Sequence, residues 1–260
     1  MASAFTDLQA RMLDRVVAAL RDDERFDALL GGGSLVTGGF DAHSDLDLIV
    51  VVRADAHAAV MAERLDFAAG LGGLLSAFTG EHVGEPRLLI CLFGPPLIHV
   101  DFKFLTLADF DDLAERPVIL WPRGAAALER RLEAVRIRPS GRSPQWFEER
   151  AWLWLHYGAT KLLRGEYFEA IATLDFFREQ VLGHLLQRNA GRPQRGVRRI
   201  EEVVDAPARL LPTLAVYDRA SIARALKASA ALYVELRAAE PPPVLTAQMP
   251  ALLLDLIGET

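Results

Sequence analysis

Cys91 is the only cysteine among 260 residues. A single thiol makes neither an intramolecular disulfide nor a thiolate zinc cage. No apolar run approaches the roughly 20 residues needed to cross a bilayer; the longest candidate, 244–257, is broken by Pro250 and Asp255. The opening residues, MASAFTDLQARMLDR, lack the apolar run of a signal peptide and read as an amphipathic helix. Positive charge is not in excess either: 29 Lys and Arg stand against 35 Asp and Glu, a formal net charge of −6. That balance argues against a general nucleic-acid binder, whose affinity would rest on many phosphate-neutralising cations. It leaves room for a protein that handles one nucleotide through a metal ion. Repeats and low-complexity tracts are absent too. The expectation is a cytoplasmic, soluble protein with no membrane partner and no extended nucleic-acid ligand.

What is present is a chain 51% apolar and 25% charged, enough for a sizeable core and long enough for two domains of ordinary size. Residues 8–30 carry apolar positions at helical spacing and then a short strand-like stretch that ends at Gly31-Gly32-Gly33. A turn-rich segment, 34–45, leads into Leu46-Asp47-Leu48-Ile49-Val50-Val51-Val52, the pattern of a strand buried within a sheet. Residues 54–78 have helical spacing weakened by Gly70, Gly72 and Gly73. Strands are expected at 87–93 and 97–105, on either side of Gly94-Pro95-Pro96, and a further one at 117–121. From about Gln145 nearly every segment has helical period: 146–164, 167–188, 219–239 and a piece after Leu245, with no convincing strand. The expected fold is therefore α+β, a mixed β-sheet flanked by helices over 1–122, followed by an all-α bundle of four or five helices over 145–260. The charged, Pro/Gly-containing stretch 123–144 reads as a linker.

The residues that carry chemistry lie in the first half. In Gly33-Ser34, ten residues, then Asp45-Leu46-Asp47-Leu48, strand alternation puts Asp45 and Asp47 on one face and the leucines on the other. Two neighbouring carboxylates on an apolar strand repel and are partly desolvated. A divalent cation removes that cost, and hard oxygen ligands of this kind suit Mg²⁺. In Ile98-His99-Val100-Asp101-Phe102-Lys103-Phe104 the period is again two, so His99, Asp101 and Lys103 share a face. If this strand lies beside that of Asp47, Asp101 joins the pair and completes a site for two metal ions, of the kind that stabilises both attacking and leaving oxygens of an in-line displacement at phosphorus. Asp101 is then the natural acceptor of a proton from an attacking hydroxyl. The glycines at 31–33 let the backbone approach a triphosphate, whose oxygens the loop N–H groups and the Ser34 hydroxyl can bind.

At these residues the chain resembles the nucleotidyltransferase superfamily, whose motif is Gly-Ser, a spacer, Asp-x-Asp and a later strand acid: here Gly33-Ser34, Asp45-Leu46-Asp47 and Asp101. The resemblance is to its small-molecule branch, the aminoglycoside adenylyltransferases and their relatives, in which such a domain precedes a helical bundle. By motif it spans about 28–105; the second half matches by layout and by a looser pattern at Lys161-Leu-Leu-Arg164-Gly165-Glu166. The resemblance implies an enzyme in which acids hold Mg²⁺ and the Gly33-Ser34 loop binds ATP or another nucleoside triphosphate. It also implies transfer of AMP to a hydroxyl of a small molecule with release of pyrophosphate. An aminoglycoside-type acceptor, and with it antibiotic resistance, comes from the relatives and from no residue of this chain.

Other readings of the same glycines and acids fail: no Lys-Ser/Thr follows the glycines as a P-loop requires, and Asp45 lacks the Gly and late Glu of an EF-hand. His43 and His99, close to the acids, read as ligand contacts or as ordinary polar neighbours, and Lys103 as a partner either of those acids or of phosphate. In the second half Lys161, with Trp154 and Tyr157 on one helix face, is a candidate triphosphate ligand or a surface charge beside an aromatic. Arg178 is a candidate nucleotide-binding residue or the buried partner of Asp175. Glu166 fits an acceptor-binding acid or a helix N-terminal carboxylate. The basic cluster Arg188, Arg192, Arg195, Arg198 and Arg199 leaves modification of RNA or protein open, although pairing with acids such as Glu201 and Glu202 explains it as well. A nucleotide-binding module without turnover is the third reading. Acceptor identity, base preference and oligomeric state are not written in the residues.

Overall fold

The structure, a computed structural model, describes residues 5–113, 115–138 and 141–258. The chain divides into two compact units, Met1–Pro139 and Ser140–Thr260.

The first unit is built on a six-stranded mixed sheet. In chain order its elements are α1 (Asp7–Arg21), β1 (Phe26–Gly31), the single turn α2 (Ser34–Thr37), β2 (Leu46–Val52), α3 (His57–Gly70), β3 (Leu74–Gly80), β4 (Glu85–Phe93), β5 (Ile98–Leu105), β6 (Asp112–Leu113), β7 (Val118–Pro122), α4 (Ala125–Ala134) and β8 (Arg136–Ile137). The sheet order is β3-β4-β5-β2-β1-β7, with β6 and β8 forming a separate two-stranded ladder. Only β2 and β5 run parallel within the large sheet; the other neighbours are antiparallel. Strand alternation sorts the side chains into two layers. Leu46, Leu48, Val50, Val100, Phe102 and Phe104 pack against Met12, Val16 and Leu20 of α1 and Val60 and Ala68 of α3. On the opposite face Ala28, Leu30, Val51 and Leu105 meet Leu128 and Leu132 of α4.

Helix α1 begins at a capping box: the Thr6 hydroxyl accepts from the Gln9 N–H, and the Gln9 side chain accepts from the Thr6 N–H at 2.8 Å. Gln9 is buried, and its amide also donates to the carbonyls of Asp41 and Ser44, both at 3.0 Å. The helix start thereby fixes the loop that delivers Asp45 to the head of β2.

Two sequence expectations change. The stretch 54–78, expected as one helix, ends its helix at Gly70; Gly72 and Gly73 take φ of +78° and +76°, and Leu74–Gly80 continues as an edge strand on β4. The helical composition of that segment gives way to cross-strand pairing, which apolar periodicity alone does not report. The stretch 123–144, expected as a linker, holds α4, β8 and the start of the next helix. Leu128 and Leu132, four apart, bury one side of α4, while Glu129, Arg130, Arg131 and Glu133 give the segment the charged look of a connector.

The second unit contains α5 (Pro144–Leu163), α6 (Tyr167–Phe177), a π-helical turn at Arg178–Leu182, α7 (Gly183–Asn189), α8 (Ala206–Leu210), α9 (Arg219–Arg237) and α10 (Ala251–Ile257). No strand occurs among its described residues. Pro144 at the first turn and the Ser143 hydroxyl, which accepts from Trp146 N–H, start α5. One buried carboxylate organises the unit. Glu148 is 1% exposed and accepts from Trp152 Nε1 at 2.9 Å, Tyr233 Oη at 2.6 Å, Arg237 at 2.6 and 2.7 Å and the Thr246 N–H at 2.9 Å. It thus joins α5, α9 and the segment before α10. Burial alone would raise its carboxyl, but the donors, Tyr233 and Arg237 foremost, together outweigh it and hold the value down to about 2 against an ordinary 4.5. A depressed folded-state value stabilises above pH 4.5, and that stabilisation is lost as pH falls toward 2. We expect unfolding of the second unit, followed by denaturation at stepped pH, to lose about 3 kcal/mol across this window. Glu148→Gln is expected to lower stability at neutral pH and flatten the dependence; an unchanged slope would remove Glu148 as its origin.

Candidate active site

The parallel register of β2 on β5 runs Leu46↔Val100, Asp47↔Asp101, Leu48↔Phe102. Asp47 and Asp101 therefore stand side by side on the face away from α1 and α3, about 5 Å apart strand to strand. Burial pushes the Asp101 carboxyl up, and the charge of Asp45 adds to that push against the attraction of His99. For His99 both a ligand contact and a polar neighbour were open. Its Nε2 lies 2.8 Å from Asp101 Oδ1, and its Nδ1 4.0 Å from Asp45 Oδ2, so the ring stands between the two acids and can orient Asp101.

The loop before α2 closes against Asp47. Gly32 N–H donates to the Asp47 carbonyl at 2.9 Å. Gly33 has φ +56°, and a Cβ there would sit 1.8 Å from Asp47 Oδ2. Only glycine gives both the left-handed backbone and the clearance. Gly33 N–H donates to Glu115 Oε1 at 2.5 Å, so this loop already presents an N–H to an anionic oxygen. The Ser34 hydroxyl is buried with no hydrogen-bond partner, an arrangement that costs about 1–3 kcal/mol. Gly32, Gly33, Asp47, Asp101, Lys103 and Glu115 line a cavity of about 240 Å³, whose remaining wall includes Leu88 and Pro117.

Lys103, for which acid or phosphate partners were open, pairs with Glu85 at 2.7 Å. Glu85 also takes Arg87 at 2.7 Å, and Arg87 reaches Asp109 at 2.8 Å. Arg87 first, and Lys103 with it, hold the Glu85 carboxyl down to about 2 despite its partial burial. Cys91, on the core side of β4, has its thiol pushed up to about 12 by burial and by the Asp101 charge, which leaves it unreactive.

The structure thus gathers Gly33, Ser34, Asp45, Asp47 and Asp101 at one end of the sheet. Lys161 and Arg178 belong to the second unit. Lys161 contacts Glu166 at 2.7 Å and Glu169 at 3.0 Å and lies 4.9 Å from the Tyr157 ring. Arg178 is buried, donates to the Thr213 carbonyl and meets Asp175, both at 2.6 Å. Each has a structural partner that accounts for its position. In the basic cluster Arg192 and Arg199 both reach Glu202, at 2.6 and 3.5 Å, and Arg188 pairs with Glu240. Sequence reasoning missed Glu115, whose contact with Gly33 spans 82 positions and leaves no local signature. It also missed Gln9, although the Thr6-x-x-Gln9 capping pattern stood in the sequence.

No family model matches the chain, and no curated protein matches it. Among solved structures it is similar to an aminoglycoside 6-adenyltransferase from Bacillus subtilis, at 13% identity and TM-score 0.33, covering 88% of this chain and 89% of that one. It is also similar to a nucleotidyltransferase-like protein from Exiguobacterium sibiricum 255-15, at 14% identity and TM-score 0.36, covering 95% and 87%. Chemistry has to be read from the residues.

Gly33→Ala is expected to cost about 1–3 kcal/mol from the backbone alone and to push the Asp47 carboxylate aside. Gly70→Ala, where nothing lies within 4 Å of an added Cβ, should change stability by less than about 1 kcal/mol. Chemical denaturation of the two variants checks this; equal effects would show that the approach of Gly33 to Asp47 is not tight.

Proposed function

We propose that the chain is a Mg²⁺-dependent nucleotidyltransferase that moves a nucleoside monophosphate, AMP from ATP, to a hydroxyl of a small molecule and releases pyrophosphate. The observation that carries this reading is the row of Asp47 beside Asp101 with the Gly33 backbone closed against Asp47. Two like-charged, partly buried carboxylates on adjacent strands are a costly arrangement that a hard divalent cation relieves. Among the described residues no three His, Cys, Asp or Glu side chains converge as a ready metal cage. Mg²⁺ typically takes one or two carboxylates and fills its remaining positions with water and substrate phosphates. Asp45, Asp47 and Asp101 are the carboxylates from which its one or two protein ligands would come. Bound there, Mg²⁺ supplies neutralisation of the carboxylates and of charge on the phosphoryl oxygens.

The chain's own groups divide the remaining work. The Gly33 N–H and the Ser34 hydroxyl bind triphosphate oxygens: the first now holds a carboxylate oxygen of Glu115, which gives way to phosphate, and the second lacks a partner. The acceptor oxygen bonds to the α-phosphorus as the bond from that phosphorus to the β-phosphate oxygen breaks, and pyrophosphate leaves with the electron pair. The hydroxyl proton passes to Asp101, which stands beside Asp47 on the adjacent strand. His99 steadies that carboxylate from the side.

The test is pyrophosphate release with labelled ATP, Mg²⁺ and a panel of hydroxyl compounds. Label is expected on an acceptor. Asp47→Asn is expected to abolish transfer in a folded protein, and Asp101→Asn to slow it by about 10²–10⁴-fold. Wild-type activity in Asp47→Asn, or no transfer to any acceptor, would overturn the reading.

A further inference from the structure

The face of the sheet that carries the two aspartates continues past them as an exposed apolar surface. Reading across the strands, Asp47 pairs with Asp101, Asp101 with Ile90, and Ile90 with Phe78. Directly paired residues project to the same side, so these four form one lateral row. The neighbouring row runs from His99 to Leu92 and Ser76. Phe78 is 54% exposed and Leu92 38%. The alternate residues of the same strands, Leu89, Cys91 and Phe93, are buried in the core, so the outward leucines and isoleucine are a second apolar face rather than a slipped core. Helix α4 covers this side of the sheet only near Ala28, Leu30, Val51 and Leu105.

Where this surface lies matters as much as what it is. In the order β3-β4-β5-β2-β1, the Gly33 loop follows β1, on one side of Asp47, and the apolar rows lie on β4 and β3, on the other side of Asp101. Displacement at phosphorus proceeds in line, with attacking and leaving oxygens on opposite sides. If pyrophosphate leaves on the Gly33 side, the hydroxyl arrives from the β4–β3 side, and whatever carries it rests on Ile90, Leu92 and Phe78. Strand spacing puts Ile90 about 5 Å and Phe78 about 10 Å from Asp101, the length of one or two fused rings. Along these rows the acid Glu85 is already held by Lys103 and Arg87, and Asp45 and Asp101 lie at the metal end, so the part of the acceptor that rests on Ile90, Leu92 and Phe78 meets apolar side chains.

We propose that the acceptor is an uncharged alcohol borne on an apolar, ring-containing body that lies across Ile90, Leu92 and Phe78 with its hydroxyl at Asp101. This rests on the nucleotidyl-transfer reading and specifies its substrate class.

The probe is 2-naphthalenemethanol, with glucose and glucosamine as neutral polar and cationic contrasts, each measured by calorimetry for binding and with labelled ATP and Mg²⁺ for transfer. The naphthyl alcohol is expected to bind and to take label in preference to both sugars. Phe78→Thr and Leu92→Thr, which change exposed side chains to a good strand former, are each expected to lower its affinity about tenfold and its kcat/KM to match. Binding that is lost in Phe78→Thr, without transfer to any compound, would keep the platform and overturn nucleotidyl transfer. Label on a sugar in preference to the naphthyl alcohol, no binding of the naphthyl alcohol, or equal affinity in the two variants and wild type would overturn the platform.

Discussion

The parallel pairing of β2 with β5 sets two carboxylates side by side, and much of the first unit can be understood as the means of tolerating that placement. The pairing is the single parallel contact in an otherwise antiparallel large sheet, and it is fixed by what lies behind it. Leu46, Leu48, Val100, Phe102 and Phe104 are all essentially buried, so a slip of one residue would turn this apolar set outward and the aspartates inward. The core thereby holds the acids in register although the acids repel. Gly33 then closes against Asp47 from the loop side, where no side chain beyond hydrogen could fit.

Around this pair the charges are arranged in two classes. Glu85, Arg87, Lys103 and Asp109 satisfy one another and leave the surface near β4 with little net field. Asp101 and Asp45 instead face His99, at 2.8 and 4.0 Å. The contrast with Glu148 is instructive. That carboxylate is more buried than Asp101, yet its donors drive its protonation downward, whereas that of Asp101 is driven upward. Glu148 is spent on holding helices together, whereas burial disfavours the ionised form of Asp101.

The acids were legible in the sequence because period-two alternation is local: Asp45-x-Asp47 and His99-x-Asp101-x-Lys103 declare their faces without knowledge of neighbours. The α+β class and the helical second half were legible for the same reason. Edge strand β3 was not, because Leu74–Gly80 follows a helix without a change in composition and becomes a strand only by pairing with β4. Helix α4 was hidden by the charges on its outer side. Glu115 could not be found at all, since its contact with Gly33 depends on how β7 and its approach return to β1. The apolar platform was likewise invisible: Phe78, Ile90 and Leu92 sit on different strands, and their alignment with Asp101 exists only in the register of the sheet. Lys161 and Arg178 were plausible ligands by residue type, and the partners they found, Glu166 and Glu169 for the first and Asp175 and Thr213 for the second, lie in their own unit.

The central claim is that the Asp47–Asp101 row, with the Gly33 loop, is a divalent-cation and triphosphate site. Electron paramagnetic resonance of Mn²⁺, titrated into the protein with a non-hydrolysable ATP analogue, tests it without any acceptor. The account predicts bound Mn²⁺ that depends on the analogue and disappears in a folded Asp47→Asn, Asp101→Asn double variant. Mn²⁺ bound equally by the variant, or by neither protein, would contradict it.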